Sequence, residues 1–367
     1  MLQTPFAPRN LPPGAESIEV NGYAAALEID GFEPEYAAVR KAAALYDFSM
    51  LHKFDVRGRR ALELVDGMVV RDLTAVPPGR VAYGPVVGDD GLMLDDATCL
   101  VFGPDHVRLC GGSGLPGAVG DCLEGRGVAI EPLRDALVQL NVQGPRSREL
   151  LAPLADADLS SDVFPYYTHR DGVRVAGIDC FVARLGFSGE LGFELWCVAE
   201  HALELWDTLA GAGKEIGVRG AGALTILTAR TEAGMIIGDG LDYGPSTSPW
   251  ECGLGWTVSE SKRGYRGCEA LLAARDTAPN RLVTLRLDAE PAGDATGAPL
   301  ERDGEDAGTI GLVVHSPIAG GPLALASVRR EHAKAGTRLE LQFERVSTGC
   351  EIVPTPLYDP ERLRVHA

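Results

Sequence analysis

No stretch of this 367-residue sequence is both long and continuously apolar. The uncharged apolar stretches, such as ALVQLNV at 136–142, fall far short of the about 20 apolar residues that a membrane-spanning helix needs. The opening MLQTPFAPRNLPPG lacks the basic-then-apolar layout of a secretory signal. These absences predict no membrane contact and a cytoplasmic location. Basic residues are scarce as well: 34 Lys and Arg stand against 52 Asp and Glu, a net charge of −18. Nucleic-acid binding relies on neutralising phosphates, so this balance argues against such a partner. The eight cysteines are scattered, without a CxxC pair or a histidine at metal-ligand spacing, and the seven histidines are equally dispersed. That pattern gives no support to a zinc or iron–sulfur site and reads as thiols acting as small apolar residues. No GxGxxG run follows a strand near the N-terminus. The run GGSGLPG at 111–117 reads as a glycine-rich turn without a strand-to-helix setting, so flavin oxidase chemistry has no support.

What is present is an ordinary globular balance, 45% hydrophobic and 23% charged, in a chain long enough for two or three domains. After an N-terminal loop rich in Pro and Gly, residues 33–45 carry helix formers with Ala37, Val39, Ala42 and Ala43 on an apolar side. LHKFDVRG alternates as a strand, and 59–70 sets Ala61, Leu62, Val65 and Val69 at helical spacing. VAYGPVV, TCLVFG and HVRLCGG read as successive antiparallel strands, and ALVQLNV as another. Gly144-Pro145 marks the break before a helix through QGPRSRELL. VRVAG and DCFVARLGF are strand-like, while 201–210 and LTILTARTEAGM are helical. From about Asn280 the texture changes to NRLVTLRLD, GTIGLVVHS, LALASV and TRLELQFE, strands separated by Gly, Pro and Asp. The expected division is therefore an α+β region at 1–278 and an all-β domain at 279–367, with the linker at 275–280.

Four blocks, in order along nearly the whole chain, resemble the T-protein (aminomethyltransferase) superfamily of the glycine cleavage system. They are RKAAALYDFSMLHKFDVRG; GRVAYGPVVGDDGLMLDDATCLVF; VQGPRSRELL with ARLGFSGELGFELW; and RTEAGMIIG with SPWECGLGWTV and YRGCEALL. The resemblance implies an α+β cloverleaf of three domains around a central channel: two interleaved α/β subdomains and a C-terminal β-barrel. It further implies an enzyme, a tetrahydrofolate-dependent one-carbon transferase.

A reduced pterin presents two adjacent N–H donors, which a single carboxylate accepts as a pair. By the resemblance, Glu194 in GELGFELW is that carboxylate; a surface Glu at a strand end is the competing reading. Asp96, second of the pair in LMLDDATC, matches the catalytic aspartate beside the folate nitrogen that accepts carbon. There it can stabilise developing positive charge and assist proton movement. A hairpin turn after Gly91 is the competing reading, and Asp95 would face the other way as a turn or solvent residue. Tyr83, Phe187 and Trp256 are the aromatic candidates for the pterin and aminobenzoyl rings, with Phe187 in place of the family's tyrosine. Trp256 is equally readable as core. Arg230 is a candidate for the folate tail, or for a salt bridge to Glu232 or another acid. Trp250 and Gly112 are expected along the substrate channel.

The sequence also departs from the family pattern. Ile226 stands where similar proteins carry the arginine of GARD, and CGGSGLPG replaces a region where asparagines are common. Gly111, Gly112 and Gly114 are expected to enlarge the cavity. On these grounds the expected donor is a small methylated molecule, passing a methyl or methylene group to folate, with a lipoyl carrier protein as the less favoured partner. The alternatives are glycine cleavage aminomethyl transfer from that carrier, a non-catalytic folate-binding protein, and the related iron–sulfur assembly factor. The last is weakened because KRGYRGCE has Gly264 where that relative's cysteine stands.

Overall fold

Burial along Met93–Gly103 alternates almost residue by residue, so that Met93, Asp95, Ala97 and Cys99 share one face and Leu94, Asp96 and Thr98 the other. This strand pairs antiparallel with Arg80–Val87 on one side and His106–Gly111 on the other. The three are the heart of an eleven-stranded, almost wholly antiparallel sheet in a computed structural model that describes residues 1–367. From one edge the order is Arg219–Gly220, Ala44–Asp47, Leu137–Gln143, Gly192–Val198, Ile178–Arg184 and Thr168–Val175. It continues through Arg80–Val87, Met93–Gly103, His106–Gly111 and His52–Arg57 to Ala129–Pro132.

The two ends of this sheet bury separate cores. One is built on Leu45, Leu140, Phe193, Leu195 and Trp206, the other on Val56, Val65, Val86, Leu109 and Val119. The chain enters the first at Ala44, crosses to the second between His52 and Pro132, and returns at Leu137. Two α/β units are thereby interleaved on one sheet. The third unit is a closed barrel of six strands, in the order Asn280–Leu287, Gly321–Arg329, Glu305–Ser316, Pro299–Arg302, Arg338–Phe343 and Val346–Val353. Two of them, Pro299–Arg302 and Val346–Val353, fall in stretches the sequence left unassigned.

Local differences from expectation have tertiary causes. The helix expected over 33–45 runs Phe32–Lys41, with acidic Glu33 and Glu35 in its first turn and Arg40 and Lys41 in its last. Ala44–Asp47 is instead a strand beside Leu137–Gln143, so pairing overrides the helix preference of the alanines. The helix expected over 59–70 is only Ala61–Asp66. Beyond it the backbone wraps the ammonium of Lys262, which donates to the carbonyls of Asp66, Val69 and Arg71 at 2.6, 2.9 and 2.8 Å. The N-terminal loop contains a short hairpin, Ser17–Val20 against Tyr23–Ala26. No helix is long and apolar enough to cross a membrane. All eight cysteines are free thiols, and all but Cys122 are buried.

Candidate active site

A cavity of about 600 Å³ lies where the two halves of the sheet, the N-terminal hairpin and the barrel meet. That volume is in the usual range for small-molecule and cofactor sites. Asp96, Tyr83, Glu194, Phe187, Trp256 and Gly112 all line it.

Asp96 projects into the cavity between two phenols. Tyr83 donates to Oδ2 at 2.8 Å, and Tyr243 donates to Oδ1. Burial raises the Asp96 pKa, while the two hydroxyls favour its charged form. Tyr243 comes from the loop after the helix Ala223–Glu232 and packs on Met93, Ile236, Cys252 and Leu254. It escaped the sequence reading because a tyrosine in a Gly-, Pro- and Ser-rich loop has no periodicity to betray it. Asp239 of the same loop lines the cavity too and is bound by Ser113 of the glycine run.

Asp95 corrects the expectation of a solvent residue. It faces away from Asp96, as alternation requires, but that side is covered and Asp95 is buried. Its Oδ1 accepts the N–H groups of Asp96 at 2.8 Å and Gly112 at 3.3 Å. Burial, reinforced by the neighbouring Asp96, raises its pKa to about 7. The glycine run does join a strand, His106–Gly111, to a helix, Leu115–Leu123, contrary to expectation. The anion-favouring end of that helix is occupied from within, by Asp95 itself. Nor do the glycines open the cavity. A Cβ at Gly114 would stand 2.0 Å from the Leu94 carbonyl oxygen, one at Gly111 2.9 Å from that of Asp96, and one at Gly112 3.1 Å from Asp95 Oδ1. Their lack of side chains lets the run close tightly on the Asp95–Asp96 strand.

Glu194 is placed by its strand pair. Asn141, directly opposite in register, donates to Oε1 at 3.4 Å, and Trp196 Nε1 donates to Oε2 at 3.2 Å. A carboxylate offers about four lone-pair sites, so two remain for donors arriving from the cavity. Burial pushes its pKa up to about 7. In the same wall, Tyr83 and Trp256 stack with centroids 6.4 Å apart, and Tyr166, Tyr167 and Phe187 add further aromatic surface. A flat aromatic ligand with paired N–H donors at one edge suits these surfaces.

Two expected residues lie elsewhere. Arg230 is fully buried and paired with Asp242, so it is bound inside the protein rather than facing a ligand. Trp250 is likewise outside the cavity: its Nε1 donates to the Leu271 carbonyl at 2.8 Å. Its ring packs over Gly255, where a Cβ would stand 2.9 Å away, and so supports the turn that presents Trp256. Ile226 does line the cavity, as an apolar wall.

Residues 8–262 match the GCVT N-terminal domain, and residues 280–359 match the glycine cleavage T-protein C-terminal barrel domain. The chain belongs to the glycine cleavage T-protein family. It is 33% identical over 359 residues to the aminomethyltransferase of Streptomyces coelicolor, covering 95% of each chain. It is 32% identical over 362 residues to that of Saccharopolyspora erythraea, covering 97% of this chain and 98% of the relative. The fold matches the crystal structure of glycine cleavage system aminomethyltransferase T from Bartonella henselae with a TM-score of 0.86, at 23% identity over 98% of both chains. As a family member the protein is a tetrahydrofolate-dependent one-carbon transferase, and the T-protein cloverleaf is its fold.

Proposed function

We propose that the protein transfers a one-carbon unit from an aminomethyl group, carried on the lipoyl arm of a partner protein, to tetrahydrofolate. The relatives named aminomethyltransferase match over nearly the whole length, which supports this donor over the small methylated molecule expected from the departures in sequence. The observation that carries the reading is the pair of acids in one cavity: Asp96 held by two phenols and Glu194 with acceptor sites to spare. Tyr83, Phe187, Trp256 and Glu194 would hold the cofactor, and the division at 279 leaves the barrel as a separate wall.

Bound tetrahydrofolate supplies the nitrogen that accepts the carbon. Glu194 takes the paired N–H edge and fixes the distance from that edge to Asp96. Asp96 faces the position where positive charge builds and is already oriented by Tyr83 and Tyr243, so little reorganisation is needed as the charge develops. The carboxylate also receives the proton that the attacking nitrogen releases. The glycine run and the loop 236–243 close the wall and keep water from the exchanged carbon.

A second reading, transfer from a small N-methylated donor, is favoured by Ile226 and Leu227 in the cavity wall, apolar surfaces that suit methyl groups. One experiment separates the two. The enzyme and tetrahydrofolate are mixed with an aminomethyl-loaded lipoyl carrier or with methylated amines, and ammonia and one-carbon folates are followed. Ammonia and methylene-tetrahydrofolate from the carrier alone support the proposal; methyl- or methylene-tetrahydrofolate from the amines alone overturns it in favour of the second reading.

A further inference from the structure

Two side chains of opposite charge are buried beside the cavity, and neither makes an ion pair. Unlike Lys262, whose ammonium meets the Asp66 carboxylate at 2.8 Å, Lys53 is 1% exposed and has carbonyls alone as acceptors. It donates to those of Phe48, Ser49 and Leu51 at 3.3, 3.1 and 3.1 Å. A neutral amine has two hydrogens and a lone pair, so three acceptors around one nitrogen require the charged form. The other side chain is Glu194, whose partners Asn141 and Trp196 are both uncharged. A buried charge without a counter-charge is costly, and these two offset each other only if they lie close.

Trp196 brings them close. Lys53 Nζ is 5.6 Å from the centroid of its ring, and its Nε1 donates to Glu194 Oε2 at 3.2 Å. A chain of hydrogen bonds running one way gives a second connection. Cys110, opposite Lys53 in register, donates to Gln139 Oε1 at 3.7 Å. Gln139 Nε2 then donates to Asn141 Oδ1 at 3.3 Å, and Asn141 Nδ2 to Glu194 Oε1 at 3.4 Å. Every dipole in that chain turns its positive end toward the carboxylate. The other charged and titratable neighbours do not replace Lys53. Arg108 also stands 5.6 Å from the Trp196 ring, but Asp55 takes its charge at 2.7 Å. Arg134 opposes the charge of Lys53, and Asp47 is bonded by Thr4 and Asn10. The Tyr167 phenol and Cys110 thiol in the cavity wall carry no positive charge. Burial raises the pKa of Glu194, and among charged groups it is Lys53 that pulls it back.

We propose that Lys53 is a positioning residue of the reaction: across Trp196 it is the internal counter-charge that keeps Glu194 ionised to accept the paired N–H edge of the pterin. The proposal rests on the tetrahydrofolate reading above. The same ammonium gathers the turn 48–51, of which Phe48, Met50 and Leu51 line the cavity, so a test must separate charge from support.

The full chain is compared with Lys53→Met, which removes the charge, and Lys53→Arg, which keeps it. Carbon NMR of labelled glutamate carboxylates follows the titration of Glu194 without ligand, its signal assigned by its loss in Glu194→Gln. In Lys53→Met the midpoint should rise by about one pH unit, the low end of what a neighbouring opposite charge does to a carboxylate. Tetrahydrofolate binding, measured by calorimetry, should then weaken about fivefold at pH 7 and match the wild type by pH 9. Lys53→Arg should stay near the wild type at both. An unmoved Glu194 midpoint, or a loss of affinity equal at both pH values, would reduce Lys53 to a support of the turn and overturn the proposal. If Lys53→Met does not fold, the reciprocal measurement decides, because coupling acts equally on both partners. The chain has five lysines, few enough for ε-carbon labelling to resolve Lys53. Its midpoint should fall by about one pH unit in Glu194→Gln, and no change there overturns the proposal. A wild type that shows the coupling but binds no tetrahydrofolate would overturn the folate reading, and with it the purpose assigned to the pair.

Discussion

Asp96 is half-buried and accepts two phenolic hydrogens, and away from bulk water a charge has a larger effect on a developing cation. Asp96→Asn keeps the volume and can still meet both hydroxyls, so the melting temperature and tetrahydrofolate affinity should hold. Turnover should fall by about 10²- to 10³-fold, the usual loss on removing one preorganised electrostatic group; unchanged turnover would take Asp96 out of the mechanism. Glu194 makes a different prediction because its pKa is raised from 4.5 to about 7, chiefly by burial. Only the ionised form accepts two pterin N–H groups, so tetrahydrofolate affinity should drop as pH falls below about 7, by at most tenfold per pH unit. The same shift acts on stability in the opposite sense. A carboxyl whose folded pKa is raised stabilises the fold fully below its unfolded value of 4.5 and loses that contribution as pH rises through about 7. Glu194→Gln, permanently neutral, should therefore gain roughly 3 kcal/mol over the ligand-free wild type at pH 8 and almost nothing near pH 4.5, while binding folate poorly at both. Melting curves of the two proteins at the two pH values, beside calorimetry, check both halves; a Gln variant no more stable at pH 8 would contradict the burial argument.

At the level of elements, the loop between the helix Ala223–Glu232 and the barrel delivers Tyr243 and Asp239 to the cavity, and it is pinned by the buried pair of Arg230 and Asp242. Asp242 Oδ2 also accepts the Ile237 N–H at 2.7 Å, so one carboxylate both neutralises the arginine and folds the loop. Removing one member of a buried pair leaves an uncompensated charge and costs about 3–5 kcal/mol. Asp242→Leu alone should unfold at markedly lower temperature, and Arg230→Met with Asp242→Leu should regain most of that loss. If Arg230 is internal, as its burial indicates, the double variant binds tetrahydrofolate like the wild type; a large fall in affinity at restored stability would return Arg230 to the ligand. Much of the architecture was legible in the chain because the signals are local. Val81–Val87 and 98–103 have strand composition, 202–209 has a helical stripe, and the change of texture at Asn280 marks the first barrel strand. The cavity-lining places of Asp96 and Glu194 were legible too, through motifs that surround each residue. What stayed hidden depends on partners far along the chain. The partner of Arg230 was hidden because Asp242 lies across a turn, and Asp95 looked solvated because the helix that covers it follows a glycine run read as a simple turn. Helix 33–45 was overextended since alanine favours helix wherever no strand competes, and Leu137–Gln143 does compete.

The whole molecule is tied together at Glu232, the last residue of the helix Ala223–Glu232 and fully buried. Its carboxylate accepts from Arg40 Nη2 at 2.5 Å and from the Tyr36 hydroxyl at 2.8 Å, both on the helix Phe32–Lys41, and from Ser316 of the barrel at 2.6 Å. Its backbone carbonyl accepts the N–H of Tyr358, whose hydroxyl meets Glu190, the second acid on Arg40. One acid therefore joins the first α/β unit, the barrel and the C-terminal segment that carries Arg362. Polar ties of this kind couple units whose apolar cores are separate, since the barrel buries its own cluster around Leu285, Ile310 and Leu341. Glu232→Gln keeps the shape but loses the charge facing Arg40, leaving Glu190 as its single carboxylate partner. The expected result is a loss of about 3 kcal/mol and a calorimetric scan that splits, the barrel and the α/β body melting apart where the wild type melts as one. Because the barrel and the C-terminal segment supply Leu282, Thr355, Pro356 and Arg362 to the cavity, folate should then raise the lower of the two transitions more than the upper. A single transition displaced without splitting would mean that the units are held by their apolar contact, and that Glu232 adds stability without coupling them.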